Sequence, residues 1–302
     1  MPMKTPLLER IEQDRPLILD GATGTELARR GINVNEPSWT ARAIREHAET
    51  LWHIHRDYVD AGADIVTANT FRTHARNLVS LGEAEAAREL TQRAVDIARE
   101  AAGDEILIAG SIAPLEDCYS PALTPHDDAL LREHTEMAEN LAASGVDLIL
   151  IETQMTIREA VIAARAAAGS GLPFGISFVC NAAGKLLSGE SLLDAAYRVA
   201  PWNPALFLVN CVPVEEVLQD LAPVLNEGPA CVPGAYANTG RLLANGSWER
   251  TEGNLPAVYA EYARAWIRAG IRVIGGCCGT TPDHISHIYK EVYGNFKKSV
   301  SG

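Results

Sequence analysis

The chain repeats one phrase eight times: a short apolar run rich in β-branched residues and ending in small or polar ones, then a helix-length amphipathic segment. The runs lie at 17–19, 64–68, 106–110, 147–151, 174–179, 205–209, 230–235 and 272–274. Helical patterns fall at 48–61, 84–102, 127–144, 157–168, 192–200, 214–225, 256–269 and 282–292. Strict alternation implies right-handed crossovers and a parallel sheet, and eight units favour closure into an α/β (β/α)8 TIM barrel. An open doubly wound sheet with a second domain is the alternative. No Pro/Ser-rich linker or charge run marks a boundary for it, so a single domain over 1–302, with its core at about 17–293, is expected.

End signals support this division. Thr124-Pro125 and Thr281-Pro282 place a cap residue before a first-turn proline, and Gly62, Gly145 and Gly270 supply helix stops. The polar stretch around Asn245, Gly246 and Ser247 reads as a loop excursion.

In such a barrel the residues at the end of each strand converge on one rim, whatever their separation in sequence. Here they are Asp20, Asn69, Glu152, Asn210, Cys211, Tyr236, Asn238, Cys277 and Cys278, with Ser177 inside the fifth strand. Cys277 and Cys278 are adjacent and cannot easily form an ordinary disulfide with each other, but with Cys211 they make a three-cysteine zinc site. The remaining cysteines, Cys118, Cys180 and Cys231, read as small buried hydrophobes.

Three thiolates make Zn2+ a poor generator of hydroxide and leave one position for a soft ligand, of which a substrate thiol is the softest biological example. A coordinated thiol is deprotonated at neutral pH, so the implied chemistry is attack by a thiolate on an activated carbon. Asp20 and Glu152 suit the ammonium of an amino-acid thiol. The glycine loops at 21–24, which carry Ala22 and Thr23, and at 275–279 suit its carboxylate.

The net charge of -13 disfavours nucleic acid and anionic membranes as partners. No apolar stretch approaches the roughly 20 residues that span a bilayer, the first residues are polar, and the six cysteines lack disulfide-scaffold spacing. A reducing, cytoplasmic setting and small-molecule partners are expected.

Asp20-Gly21-Ala22-Thr23-Gly24-Thr25, Asn69-Thr70-Phe71, Ile151-Glu152-Thr153, Asn210-Cys211 and Gly275-Gly276-Cys277-Cys278-Gly279-Thr280 resemble, in order and spacing, the homocysteine S-methyltransferase family, from about Leu17 to Ile288. The resemblance implies a zinc-bearing barrel with Cys211, Cys277 and Cys278 as ligands and homocysteine as methyl acceptor, giving methionine. It also implies that Asp20 and Glu152 hold the homocysteine amino group, that Ala22, Thr23, Ser177 and Asn69 line its site, and that Asn238 approaches the zinc when substrate is absent.

The donor is open. S-Methylmethionine, S-adenosylmethionine, betaine and a methylcorrinoid on a separate protein all serve in this family, and Trp39, Phe71 and Tyr236 are donor-side candidates by cation–π attraction. Three rivals remain: transfer to another small thiol, a structural zinc protein without catalysis, and a phosphate-binding barrel suggested by Gly275-Gly276.

Overall fold

The apolar runs become strands because each must face two layers at once, the barrel interior and the surrounding helices. The computed structural model of the chain describes residues 6–13, 15–34, 40–243 and 247–299. Eight strands form the barrel: β1 (Leu17–Ile18), β2 (Ile65–Ala68), β3 (Leu107–Ile112), β4 (Leu148–Gln154), β5 (Phe174–Phe178), β6 (Leu206–Pro213), β7 (Val232–Asn238) and, after a two-stranded insertion, β10 (Val273–Gly276). All pairings are parallel in the order β1-β10-β7-β6-β5-β4-β3-β2. Closure comes from a parallel bridge of Leu19 with Ile65, flanked by Asp20 N–H to Ile65 O (3.0 Å) and Asp64 N–H to Ile18 O (2.7 Å).

Side chains alternate across each strand, so one sequence supplies both cores. Leu17, Leu19, Ile65, Leu107, Leu148, Leu150, Leu206, Leu208 and Val273 form one buried cluster, the barrel interior. Their neighbours Ile18, Val66, Ile108, Ile149, Ile176, Phe207, Val209 and Ile274 join the other, against the helices. Leu7, on the short helix Pro6–Ile11, is fully buried within the interior cluster.

The main outer helices run at Ala48–Asp60, Ala87–Ala102, Asp127–Ala143, Ile157–Gly169, Leu192–Val199, Val217–Glu227, Pro256–Arg268 and Pro282–Ser299, close to the ranges expected from periodicity. One local expectation changes. The third of these helices starts at Asp127 as expected, but its N-cap is His126 and not Thr124, which instead closes the 3-10 turn Pro121–Leu123. The expected loop excursion falls largely on Asn245 and Gly246, which lie outside the described residues. It is flanked by an antiparallel hairpin, β8 (Gly240–Leu242) with β9 (Trp248–Arg250). No helix among the described residues is long and apolar enough to cross a membrane.

Candidate active site

The inward face of the strands turns from leucine to polar at their C-terminal ends. Continuing the alternation beyond the interior cluster gives Thr67 on β2, Ser111 on β3, Glu152 on β4, Ser177 on β5, Asn210 on β6 and Tyr236 on β7. β4, β6 and β7 each run three or four residues past their apolar segments, so Glu152, Asn210, Cys211, Tyr236 and Asn238 lie within strands rather than after them.

Two of these strand ends are irregular at matching places. Thr153 (φ 61°) and Cys211 (φ 55°) occupy the left-handed region, and the register of β4 and β6 shifts at the same points. That conformation is costly for a β-branched threonine. Asn210, wholly buried, holds both ends together. Its Oδ1 accepts the Thr153 N–H (3.1 Å) and the Ser177 hydroxyl (2.6 Å), and its Nδ2 donates to Thr153 Oγ1 (2.9 Å).

The thiols of Cys211, Cys277 and Cys278 converge, with all three Sγ atoms within 4.8 Å of one another and Cys211 Sγ 3.0 Å from Cys277 Sγ. Such a set of soft donors, partly buried at a strand rim, fits one soft metal ion. Hydrogen bonding from the other two thiols lowers the Cys278 thiol well below its usual range. The same contacts, with burial, push Cys211 up.

Close backbone approach makes the double-cysteine turn. A Cβ on Gly275 would fall 2.7 Å from Leu19 Cβ, and one on Gly276 would fall 2.3 Å from Thr280 Oγ1, the hydroxyl that donates to Cys277 O at 2.7 Å. Two buried tyrosines from the helix layer fasten the loops. Tyr259 donates to Gly275 O (2.8 Å) and accepts the Ala237 N–H (3.0 Å), while Tyr58 donates to Ala22 O (3.0 Å).

Asp20 and Glu152 lie near enough for their charges to interact. Burial pushes Asp20 up to about 8, against the lowering effect of the Thr67 N–H (2.8 Å) and hydroxyl (3.0 Å). Glu152, also raised by burial, titrates at about 7; its oxygens accept from Ser111 and from the Tyr236 hydroxyl (3.1 Å). Neither acid has a cationic side-chain partner among the described residues. Glu152 is not a helix cap either, since Thr156 caps the following helix.

Asn69 donates to Thr40 O (2.9 Å), and Asn238 Oδ1 accepts the Cys278 N–H (3.0 Å). Ala22 N–H reaches Thr280 Oγ1 (3.2 Å), and Thr23 opens the helix Thr23–Arg29. In the second glycine loop the N–H groups of Gly276, Cys277 and Gly279 are already bonded, to Asp20 O, Ala237 O and Thr25 Oγ1. Phe71 has its ring covered by the Arg72 guanidinium at 5.0 Å, Tyr236 is 3% exposed, and Trp39 lies outside the described residues.

Four further residues at the site escape the sequence reading. Thr67 and Ser111 hold the two acids, and strict inward alternation along β2 and β3 is the signal that could find them. Cys118 and Tyr119 lie on the loop after β3: burial above all pushes the Cys118 thiol up, with a smaller contribution from Cys277, and Cys211 raises the Tyr119 phenol most of all. No periodicity marks that loop.

Residues 17–292 match the homocysteine S-methyltransferase family. The chain is 28% identical to selenocysteine methyltransferase of Astragalus bisulcatus over 95% of this chain and 96% of that one. It is 30% identical to methionine synthase of Mycobacterium leprae, over 94% of this chain and 25% of that longer protein. The metallated form of the homocysteine methyltransferase MmuM of Escherichia coli superposes with a TM-score of 0.82 at 27% identity, covering 94% of this chain and 98% of that one. With a family match across nearly the whole barrel and the three cysteines gathered at its rim, the chain belongs to the homocysteine S-methyltransferase family.

Proposed function

We propose that the enzyme transfers a methyl group to the sulfur of homocysteine, giving methionine, with zinc held by Cys211, Cys277 and Cys278. The observation that carries this reading is the convergence of three thiols within 4.8 Å on the rim that also bears Asp20, buried, and Glu152, half-buried, two carboxylates without a cationic side-chain partner among the described residues. When bound, zinc favours the thiolate form of a thiol ligand and, in an electron-rich set of three thiolates, leaves its sulfur nucleophilic.

The remaining work falls to the chain's own side chains. Asp20, oriented by Thr67, and Glu152, oriented by Ser111 and Tyr236, receive the substrate ammonium. Its positive charge draws both carboxyls back toward the ionised form, so amine binding expels protons from the site. The substrate carboxylate meets Thr23 and Gly24, whose N–H groups open a helix and have no carbonyl within it. Asn210 fixes the separation between amine and sulfur sites, because it bonds Thr153, next to Glu152, and precedes Cys211 in the chain. Ala22, Ser177 and Asn69 shape the wall through the bonds described above.

The test is direct. Purified protein supplied with homocysteine and, in turn, S-methylmethionine, S-adenosylmethionine, betaine or a methylcorrinoid protein should form methionine with at least one donor. Metal analysis should give about one zinc per chain. Full zinc retention in Cys211→Ser, Cys277→Ser and Cys278→Ser would sink the assignment of these ligands.

A further inference from the structure

The hairpin of β8 and β9 pairs with no barrel strand among the described residues, so the barrel ladder does not depend on it. Its contacts go elsewhere. They reach both halves of the three-cysteine set, which approach from either side of β7.

On one side the hairpin grips the turn that carries Cys278, a residue beyond the end of β10 and outside any strand. Asn238 Oδ1 accepts the Cys278 N–H (3.0 Å), and the Thr239 N–H donates to Cys278 O (3.0 Å). Thr239 O in turn accepts the Thr251 N–H (3.3 Å) and the Thr251 hydroxyl (3.2 Å), which closes the base of the hairpin one peptide away from that cysteine contact. Gly279, at φ 84°, leaves its side-chain position to these residues. A Cβ there would fall 2.1 Å from Thr239 Oγ1 and 3.6 Å from Trp248 Cζ2. The same indole lies across Gly240, where a Cβ would fall 2.7 Å from Nε1. Trp248 is 39% exposed, so this large ring is spent on a surface turn and not on the core.

On the other side the hairpin meets the chain just after β6, the strand of Cys211. Arg241, which pairs in register with Glu249, binds Glu216 through its guanidinium and lies 3.7 Å from Glu215. Past β9, a Cβ on Gly253 would fall 2.4 Å from Val214 Cγ1. The hairpin thus runs from the end of one ligand's strand to the turn of another.

We propose that this hairpin is a strap that governs how slowly zinc leaves, with Trp248 as its clasp on the Cys278–Gly279 turn and Arg241 as its anchor beside the Cys211 strand. This rests on the zinc reading above. An ion held by three side chains escapes when one of them swings away, and the opening of that ligand's segment sets the rate. Cys278 sits in a turn, so it is the ligand with most room to swing. Groups that orient a ligand from behind are worth about 10- to 100-fold in metal affinity.

Transfer of zinc from the loaded protein to a chromogenic chelator reads the release rate. Trp248→Ala should release zinc about tenfold faster or more, and Trp248→Phe, which keeps an aromatic ring on Gly279, should stay near the unsubstituted rate. Arg241→Ala, at a partly exposed residue that leaves the packing untouched, should release it about threefold faster, in keeping with a solvent-exposed ion pair. Both residues hold one strap, so the double variant should be no faster than Trp248→Ala; two unrelated destabilisations would multiply. An unchanged rate in either alanine variant, equal acceleration in Trp248→Phe, or multiplied effects in the double variant overturns the proposal.

The outcomes separate the two readings. Zinc that binds and leaves all variants at one rate rejects the strap alone, whereas an unsubstituted protein that takes up no zinc rejects the metal reading and the strap with it.

Discussion

At Asp20 and Glu152 a buried and a half-buried carboxyl stand with no cationic side chain among the described residues to balance them, which suits capture of an ammonium and works against stability. The folded-state value is raised for both. Stability is therefore fully present below the unfolded carboxyl value of roughly 4 and is lost as pH rises through about 7 for Glu152 and about 8 for Asp20. Asp20→Asn keeps the Thr67 geometry, since an amide can accept the N–H and donate to the hydroxyl. It should raise Tm at pH 8.5 by about 2 °C or more while cutting kcat/KM for homocysteine about 10- to 100-fold. Calorimetry of homocysteine binding near pH 7, in buffers of different ionisation enthalpy, should show more protons released by the unsubstituted protein than by Asp20→Asn. Asp20 and Glu152 are legible in the sequence because carboxylates at strand ends are unusual; Thr67 and Ser111 are not, because hydroxyls there are commonplace.

Among the elements, β4 and β6 show how a strand end becomes a site. Their apolar runs stop at Ile151 and Val209, but pairing continues past Thr153 and Cys211, whose left-handed backbones re-aim the residues beyond them. Periodicity reports burial, and it fades where polar side chains begin to point into the barrel, so these extensions leave no mark in the sequence pattern. The strain has a checkable consequence. Asn210→Ala should raise the homocysteine KM several-fold and lower Tm by removing the bonds that hold Thr153. Adding Thr153→Gly, which relaxes the positive φ, should return part of the Tm, as thermal unfolding of the single and double variants would show. At β10, Gly276→Ala drives a methyl group into Thr280, so zinc content should fall although no ligand has changed.

For the whole molecule, the eightfold phrase is enough to read the barrel, because alternation constrains topology more tightly than any single propensity. The inserted hairpin reads as a loop from sequence, since β8 and β9 contribute three residues each and Trp248–Arg250 is exposed. The three cysteines are legible as a set only through the barrel, which brings β6 and β10 to either side of β7.

The Cys211–Cys277 contact spans 66 residues of sequence. A metal seated there is a removable crosslink: it ties β6 to β10 and closes a long loop that includes β7, the hairpin and the helix Pro256–Arg268. Closing a loop of that length restricts the unfolded chain more than the folded one, with a stabilisation of about 4 kcal/mol for a covalent link of similar span. Chelation should therefore lower Tm by several degrees, and protease should gain access first within residues 214–272, beyond the cysteines themselves. The same ion that prepares the substrate thiol would then also set how firmly the final quarter of the barrel stays closed.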